Sequence, residues 1–326
     1  MPLKRSSSLA ALAILGSVTA PVALPAAPPR LADCDSAAPW QVLRAGTAAG
    51  TVPEARAVWL DAQVVRWPGV EPTGRFRLYH SADARVAAAS GARVLGADGA
   101  LDLAITDAPL PNSLQQRFRY LDGGVTLRTD ATADVLRDLH RGQLVLVQED
   151  DAGRVLRSTR LQSATALDDL FAAARDSTLG ATVAGGRTTF ALWAPTAENV
   201  AVCLHRDGAG PAASLVGLKR DPASGIWSAT AEADLSGRYY TYLVDLYVPG
   251  TGVVRNRVTD PYAVSLTTDS QRAYIADLDA PQLAPPGWSR ALSPDRVRTA
   301  TDAQIYELHV RDFSIGDASV RPVFRG

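Results

Sequence analysis

A chain of 326 residues is long enough for about two or three folded domains. Its 47% apolar and 21% charged residues exclude a disordered chain. With 33 basic against 34 acidic side chains, a formal net charge of −1, nothing electrostatic points to nucleic acid or an anionic membrane as partner.

In chain order, Lys4 and Arg5 form a short basic start. Residues 9–20 form an apolar run of secretory length, too short to span a bilayer. Pro21, Pro25, Pro28 and Pro29 break any continuing helix, and cleavage is expected between residues 20 and 32. Leu31-Ala32-Asp33-Cys34 has the outline of a lipid-attachment box, with Asp33 where a small residue is wanted. The chain has two cysteines, Cys34 and Cys203. Two readings are open: they pair in an oxidising compartment, or they stay unpaired with Cys203 a small core residue.

Residues 35–56 read as an irregular lead-in rich in Ala, Gly, Thr and Pro. Period-two alternation then predicts strands over 57–65 and 75–80. A strand over 143–148, buried on both faces, forms a hairpin with 155–161 through the turn at Asp151-Ala152-Gly153. One helix interrupts the pattern: Thr165 and Asp168 resemble a capping box, and Leu167, Leu170, Phe171 and Ala174 recur at helical spacing. Residues 180–186 read as a linker. Strands at 188–193, 200–205, 226–231, 238–246 and 253–258 follow, separated by short turns, which argues for a β-sandwich. Pro281, Pro285, Pro286, Gly287 and Pro294 mark an extended connector, and residues 304–314 read as one buried strand.

The expected fold class is mainly β, with two β-sandwich-like, immunoglobulin-like domains. The expected divisions are a leader and processed segment (1–32), a first β domain (33–178), a second β-sandwich (179–285) and a connector with a final strand (286–326).

Motif chemistry is sparse. No phosphate loop, dinucleotide fingerprint, HExxH pair or Gly-x-Ser-x-Gly elbow is present. His80, His140, His205 and His309 stand far apart, so spacing shows no metal cluster. Of the six tryptophans, Trp59 and Trp193 sit among alternating apolar residues and are expected in a core. Trp227, after a turn, and Trp67, at a strand end, are the candidates for stacking on sugar rings.

Residues 190–200, with Trp193-Ala194-Pro195, resemble the opening of the isoamylase-type N-terminal module of starch-debranching enzymes. Gly225-Ile226-Trp227, the run with Tyr239, Tyr240 and Tyr242, and Asp260-Pro261-Tyr262 appear in that module's order. Residues 57–80 are similar to the domain that precedes the module in pullulanase-type α-1,6-glucosidases of the α-amylase clan, and 264–272 and 304–314 resemble the same enzymes.

The resemblance implies a secreted or periplasmic glycoside hydrolase acting on α-1,6 linkages of pullulan, starch, glycogen and limit dextrins. Such enzymes use a nucleophilic Asp, a general-acid Glu and a second Asp on later strands of a (β/α)8 barrel. None of the carboxylates in these 326 residues takes those roles. The expectation is an N-terminal fragment carrying the first strand of a truncated barrel and inactive by itself. Tyr306, Arg311 and Asp312 are then structural groups at the barrel mouth, and residues 300–326 are expected to lie loosely or against the preceding sandwich. No cofactor is implied; calcium, common in the clan, has no placeable site here. The alternative is an exported, non-catalytic α-glucan-binding protein.

Overall fold

The computed structural model describes residues 27–46, 52, 54–292 and 298–326; the basic start and the apolar run at 9–20 lie outside them. The chain divides into two units, Met1–Asp277 and Leu278–Gly326.

The larger unit opens with a turn of 3-10 helix over Leu31–Asp35 and strand β1 (Trp40–Ala45). The first β domain follows with β2 (Ala57–Trp59), β3 (Val64–Trp67), β4 (Arg75–Ser81) and β5 (Gly99–Ile105). Helix α1 (Asn112–Arg117), β6 (Val125–Arg128), helix α2 (Ala133–Leu139), β7 (Gln143–Glu149), β8 (Val155–Thr159), β9 (Leu161–Gln162) and helix α3 (Ala164–Leu170) complete it.

The expected strand over 57–65 is in fact a hairpin. Asp61 breaks it: its Oδ1 accepts from the amides of Gln63 and Val64 at 2.7 and 2.8 Å, a local capture that turns the chain between β2 and β3. The eight strands pair in the order β8-β7-β4-β5-β6-β3-β2-β9. The sheet folds over at β5, whose first residues pair with β4 and whose last two, Ala104 and Ile105, pair with β6. Between the two halves lies a core that includes Trp59, Trp67, Phe76, Leu78, Leu127 and Leu146, closed by Leu136 of α2 and Leu170 of α3. Val145 and Val147 point to the other side of β7, into a smaller cluster with Val86 and Val155, as expected of a strand buried on both faces.

Helix α3 departs from the expected cap. Thr165 is buried inside the helix, the N-cap is Ser163, and no side chain caps the end. The periodic stretch then tightens to a 3-10 turn over Ala172–Ala174.

The second domain contains β10 (Gly180–Ala184), β11 (Arg187–Trp193), β12 (Ala197–His205), β13 (Ala212–Gly217), β14 (Lys219–Arg220), β15 (Ile226–Ala231), β16 (Tyr239–Val248), β17 (Gly252–Val258) and β18 (Ala273–Tyr274). Residues 180–186 are not a linker: Gly185 and Gly186 take φ of 58° and 74°, the left-handed pair that a two-residue hairpin needs, and β10 runs back against β11. The sheets are β10-β11-β15-β14 and β1-β17-β16-β12-β13, with β18 also on β16. Phe190, Leu192, Val200, Val202, Trp227, Tyr240 and Tyr242 fill the space between them. Tyr240 donates to Oδ2 of Asp260 at 2.6 Å, and Oδ1 of Asp260 accepts from the Tyr262 amide, so the buried Asp260 carboxylate ties the exposed Pro261-Tyr262 turn to the core.

Strand β1 pairs with β17, so the expected first domain of 33–178 loses its opening stretch to the second sandwich. Cys34 is bonded to Cys203 of β12, 169 residues away, and both are buried with Leu243 on the outer face of the larger sheet.

The two sandwiches meet at a built junction. Arg141 donates to the carbonyls of Ala197 and Glu198 at 3.1 and 3.0 Å, while Arg44 of β1 bridges Glu198 and Asp83 at 2.6 and 3.0 Å. The Phe171 ring lies under the guanidinium groups of both Arg137 and Arg220, at 5.9 and 5.8 Å. Trp193 packs against the first domain's core instead of filling its own sandwich, with its indole N–H on the Ser224 carbonyl.

The smaller unit has short 3-10 turns and helix α4 (Val310–Ser314). The expected barrel strand is absent: residues 303–309 join no ladder among the described residues, and the chain turns helical at Val310. Residues 303–309 are exposed throughout, so water rather than a neighbouring strand satisfies their amides and carbonyls. Ile305 and Tyr306, expected in a buried strand, are exposed.

Candidate functional site

Both tryptophans expected to face sugar are interior. Trp67 is 3% exposed, its ring edge-on to Phe76 at 6.3 Å. Trp227 is 6% exposed, and its indole N–H donates to the Ala194 carbonyl at 3.0 Å. A stacking platform needs an open face, and neither ring has one. Trp227 pairs with Leu192 of the neighbouring strand, a register that turns its side chain inward.

Tyr306 is 75% exposed, and Arg311 and Asp312 form an exposed ion pair at 3.6 Å on α4. Nδ1 of His309 accepts from the Asp312 amide at 3.3 Å, so the histidine caps this turn.

A cleft in the first domain was not signalled by any motif. It lies between β6, the end of β5 and the 106–124 segment that carries α1, with a volume of about 430 Å³. Leu60, Leu114 and Phe118 form its floor, and Arg66, Asp107, Gln115 and Arg119 stand around it. Arg66 is held in place by donating to the Gly123 carbonyl at 3.0 Å and to Oγ1 of Thr126 at 2.8 Å. Asp107 is the single carboxylate in this lining. Retaining glycosidic cleavage needs two carboxyl groups about 5–5.5 Å apart, and this lining supplies one.

Elsewhere, titratable groups are perturbed for structural reasons. Burial holds His140 below its ordinary value, while its ring packs on Trp59 at 4.6 Å. Burial, then the adjacent Arg272, lowers His205. Among the described residues no group of three or more His, Cys, Asp or Glu is placed to hold a metal ion. None of their helices is long and apolar enough to cross a membrane.

Comparison with known proteins fits this architecture. Residues 54–169 match the pullulanase N2 domain, and residues 178–263 match carbohydrate-binding module 48, the isoamylase N-terminal domain. The pullulanase of Klebsiella pneumoniae is 33% identical over 282 residues, covering 83% of this chain and 25% of the relative. Pullulanase 1, chloroplastic, of Arabidopsis thaliana is 32% identical over 273 residues, covering 83% and 28%. The solved maltotriose complex of PulA from Klebsiella pneumoniae superimposes with a TM-score of 0.71 at 32% identity, over 85% of this chain and 30% of that one. PulA from Klebsiella oxytoca gives 0.70 at 33% identity, over 84% and 26%. The chain thus spans about a quarter of the length of the curated relatives it matches.

Proposed function

From a chain that carries the pullulanase N2 domain and carbohydrate-binding module 48 as one jointed tandem, we propose the accessory, α-glucan-associating N-terminal part of a starch-debranching glycoside hydrolase. The observation that carries this reading is the superposition of 85% of the chain on 30% of a pullulanase, with both domains in sequence. The enzyme of which this would be a part acts on α-1,6 linkages in pullulan, starch and limit dextrins. Its catalytic carboxylates are not among these residues. In this reading the tandem presents α-glucan to a catalytic barrel, and a glucosyl segment occupies the first-domain cleft. There Leu114, backed by the buried Phe118, would meet the apolar face of a sugar ring, and Arg119, Asp107 and Gln115 its hydroxyls. Export to a secreted or periplasmic location accords with the basic start, the apolar run and the disulfide.

The reading is tested by incubating the purified 326-residue chain with pullulan and measuring reducing ends. No release above background is expected. Release that scales with protein concentration would overturn the non-catalytic assignment.

A further inference from the structure

The Leu31-Ala32-Asp33-Cys34 stretch poses a choice that the structure bears on directly. Lipid attachment at such a box would cut the chain before the cysteine and place a thioether on its sulfur. In this fold that sulfur is bonded to Cys203, and one cysteine sulfur cannot carry both bonds. The residues upstream of the cut are also tied to the sheet by side-chain bonds. Asp245, fully buried, receives Nε and Nη2 of Arg255 at 2.7 and 2.8 Å. The third guanidinium nitrogen, Nη1, donates to Oδ2 of Asp33 at 2.7 Å, and Nη2 also reaches the Ala27 carbonyl at 2.7 Å.

Burial raises the Asp33 carboxyl, but the Arg30 amide and the Arg255 guanidinium together outweigh it and hold it below the ordinary value. Cutting before Cys34 would strip Arg255 of two acceptors on a covered sheet face, where unpaired donors are costly. Downstream, Arg257 donates to the carbonyls of Cys34 and Ser36 at 2.9 and 2.8 Å, and the Ala212 amide donates to the Asp35 carboxylate at 3.0 Å. The stretch 27–36 is therefore a strap over the outer face of the second sandwich, continuous with the edge strand β1.

We propose that the mature chain retains residues 27–36 and that Cys34 is a disulfide cysteine, not an acylated N-terminal one. Processing then falls before Ala27. The thiols of Cys34 and Cys203 give up two electrons and two protons to an exchanging disulfide, which leaves as two thiols. The proposal rests on the export reading above, and the two can fail separately.

The test is peptide mapping of the full-length gene product recovered from a bacterial host under thiol-trapping conditions, with the amino terminus read by mass spectrometry. The expected result is an amino terminus at or before Ala27, a 34–203 linked peptide that separates on reduction, and no acyl mass on Cys34. An acylated chain beginning at Cys34 would overturn the proposal while leaving export intact. Trapped free thiols on a chain that keeps its leader would overturn it through failure of export. Free thiols on a processed chain would overturn the disulfide assignment itself.

Discussion

Trp227 is a core residue whose ring belongs to the second sandwich, with its one polar atom spent on the Ala194 carbonyl. Trp227→Ala should therefore cost about 3–5 kcal/mol of stability, in the range for deleting a buried aromatic ring. The check is a denaturant titration, and a loss below about 1 kcal/mol would mean the ring is not packed as described.

Two histidines make a prediction with a definite sign. His140 and His205 are held below the ordinary value, chiefly by burial. The unfolded chain therefore binds protons that the folded chain refuses, and stability is lost as the pH falls below the unfolded value of about 6.5. Asp260, raised by burial, works in the opposite sense at more acidic pH. The thermal midpoint should drop between about pH 7 and pH 5, and a His140→Gln, His205→Gln double variant should show a flatter profile. An equally steep profile in that variant would contradict the assignment.

At the level of elements, the strap is the feature with the largest expected effect. Its disulfide joins residues 169 apart, a loop whose closure in the unfolded state contributes about 2–5 kcal/mol. Cys34→Ser, or a reductant acting on the intact chain, should lower the unfolding midpoint by an amount of that order, read by circular dichroism. An unchanged midpoint would show that the arm is not tied to the sheet.

The strap also shows what sequence patterning can and cannot reveal. Alternating apolar residues exposed the strands at 75–80, 143–148, 200–205 and 253–258, because each buries one or both faces. Patterning failed at β1, where the apolar Trp40 and Val42 are the exposed positions of an edge strand and the polar Gln41 between them is half-buried. It failed again at Asp61, where a single side chain splits one apolar run into two strands. The Gly185-Gly186 hairpin passed for a linker because glycine serves both. Candidate sugar platforms misled because a tryptophan at a strand end is ambiguous until the register of its neighbours is known. The first-domain cleft carried no signal, since its floor and rim come from β6, β5 and the 106–124 segment and no motif joins them.

On the scale of the whole molecule, the two sandwiches act as one body because their junction combines charge pairs, two guanidinium groups over the Phe171 ring and Trp193 packed across it. That jointed pair, rather than any single motif, is what the chain shares with the N-terminal part of pullulanases. As proposed above, the pair associates with α-glucan without cutting it. Affinity electrophoresis of the 326-residue chain in native gels with and without pullulan tests this most directly. Retarded migration that survives high salt is expected, since the contact is with neutral sugar, together with weaker retardation for the exposed cleft variant Arg119→Ala. Identical mobility in both gels would contradict it.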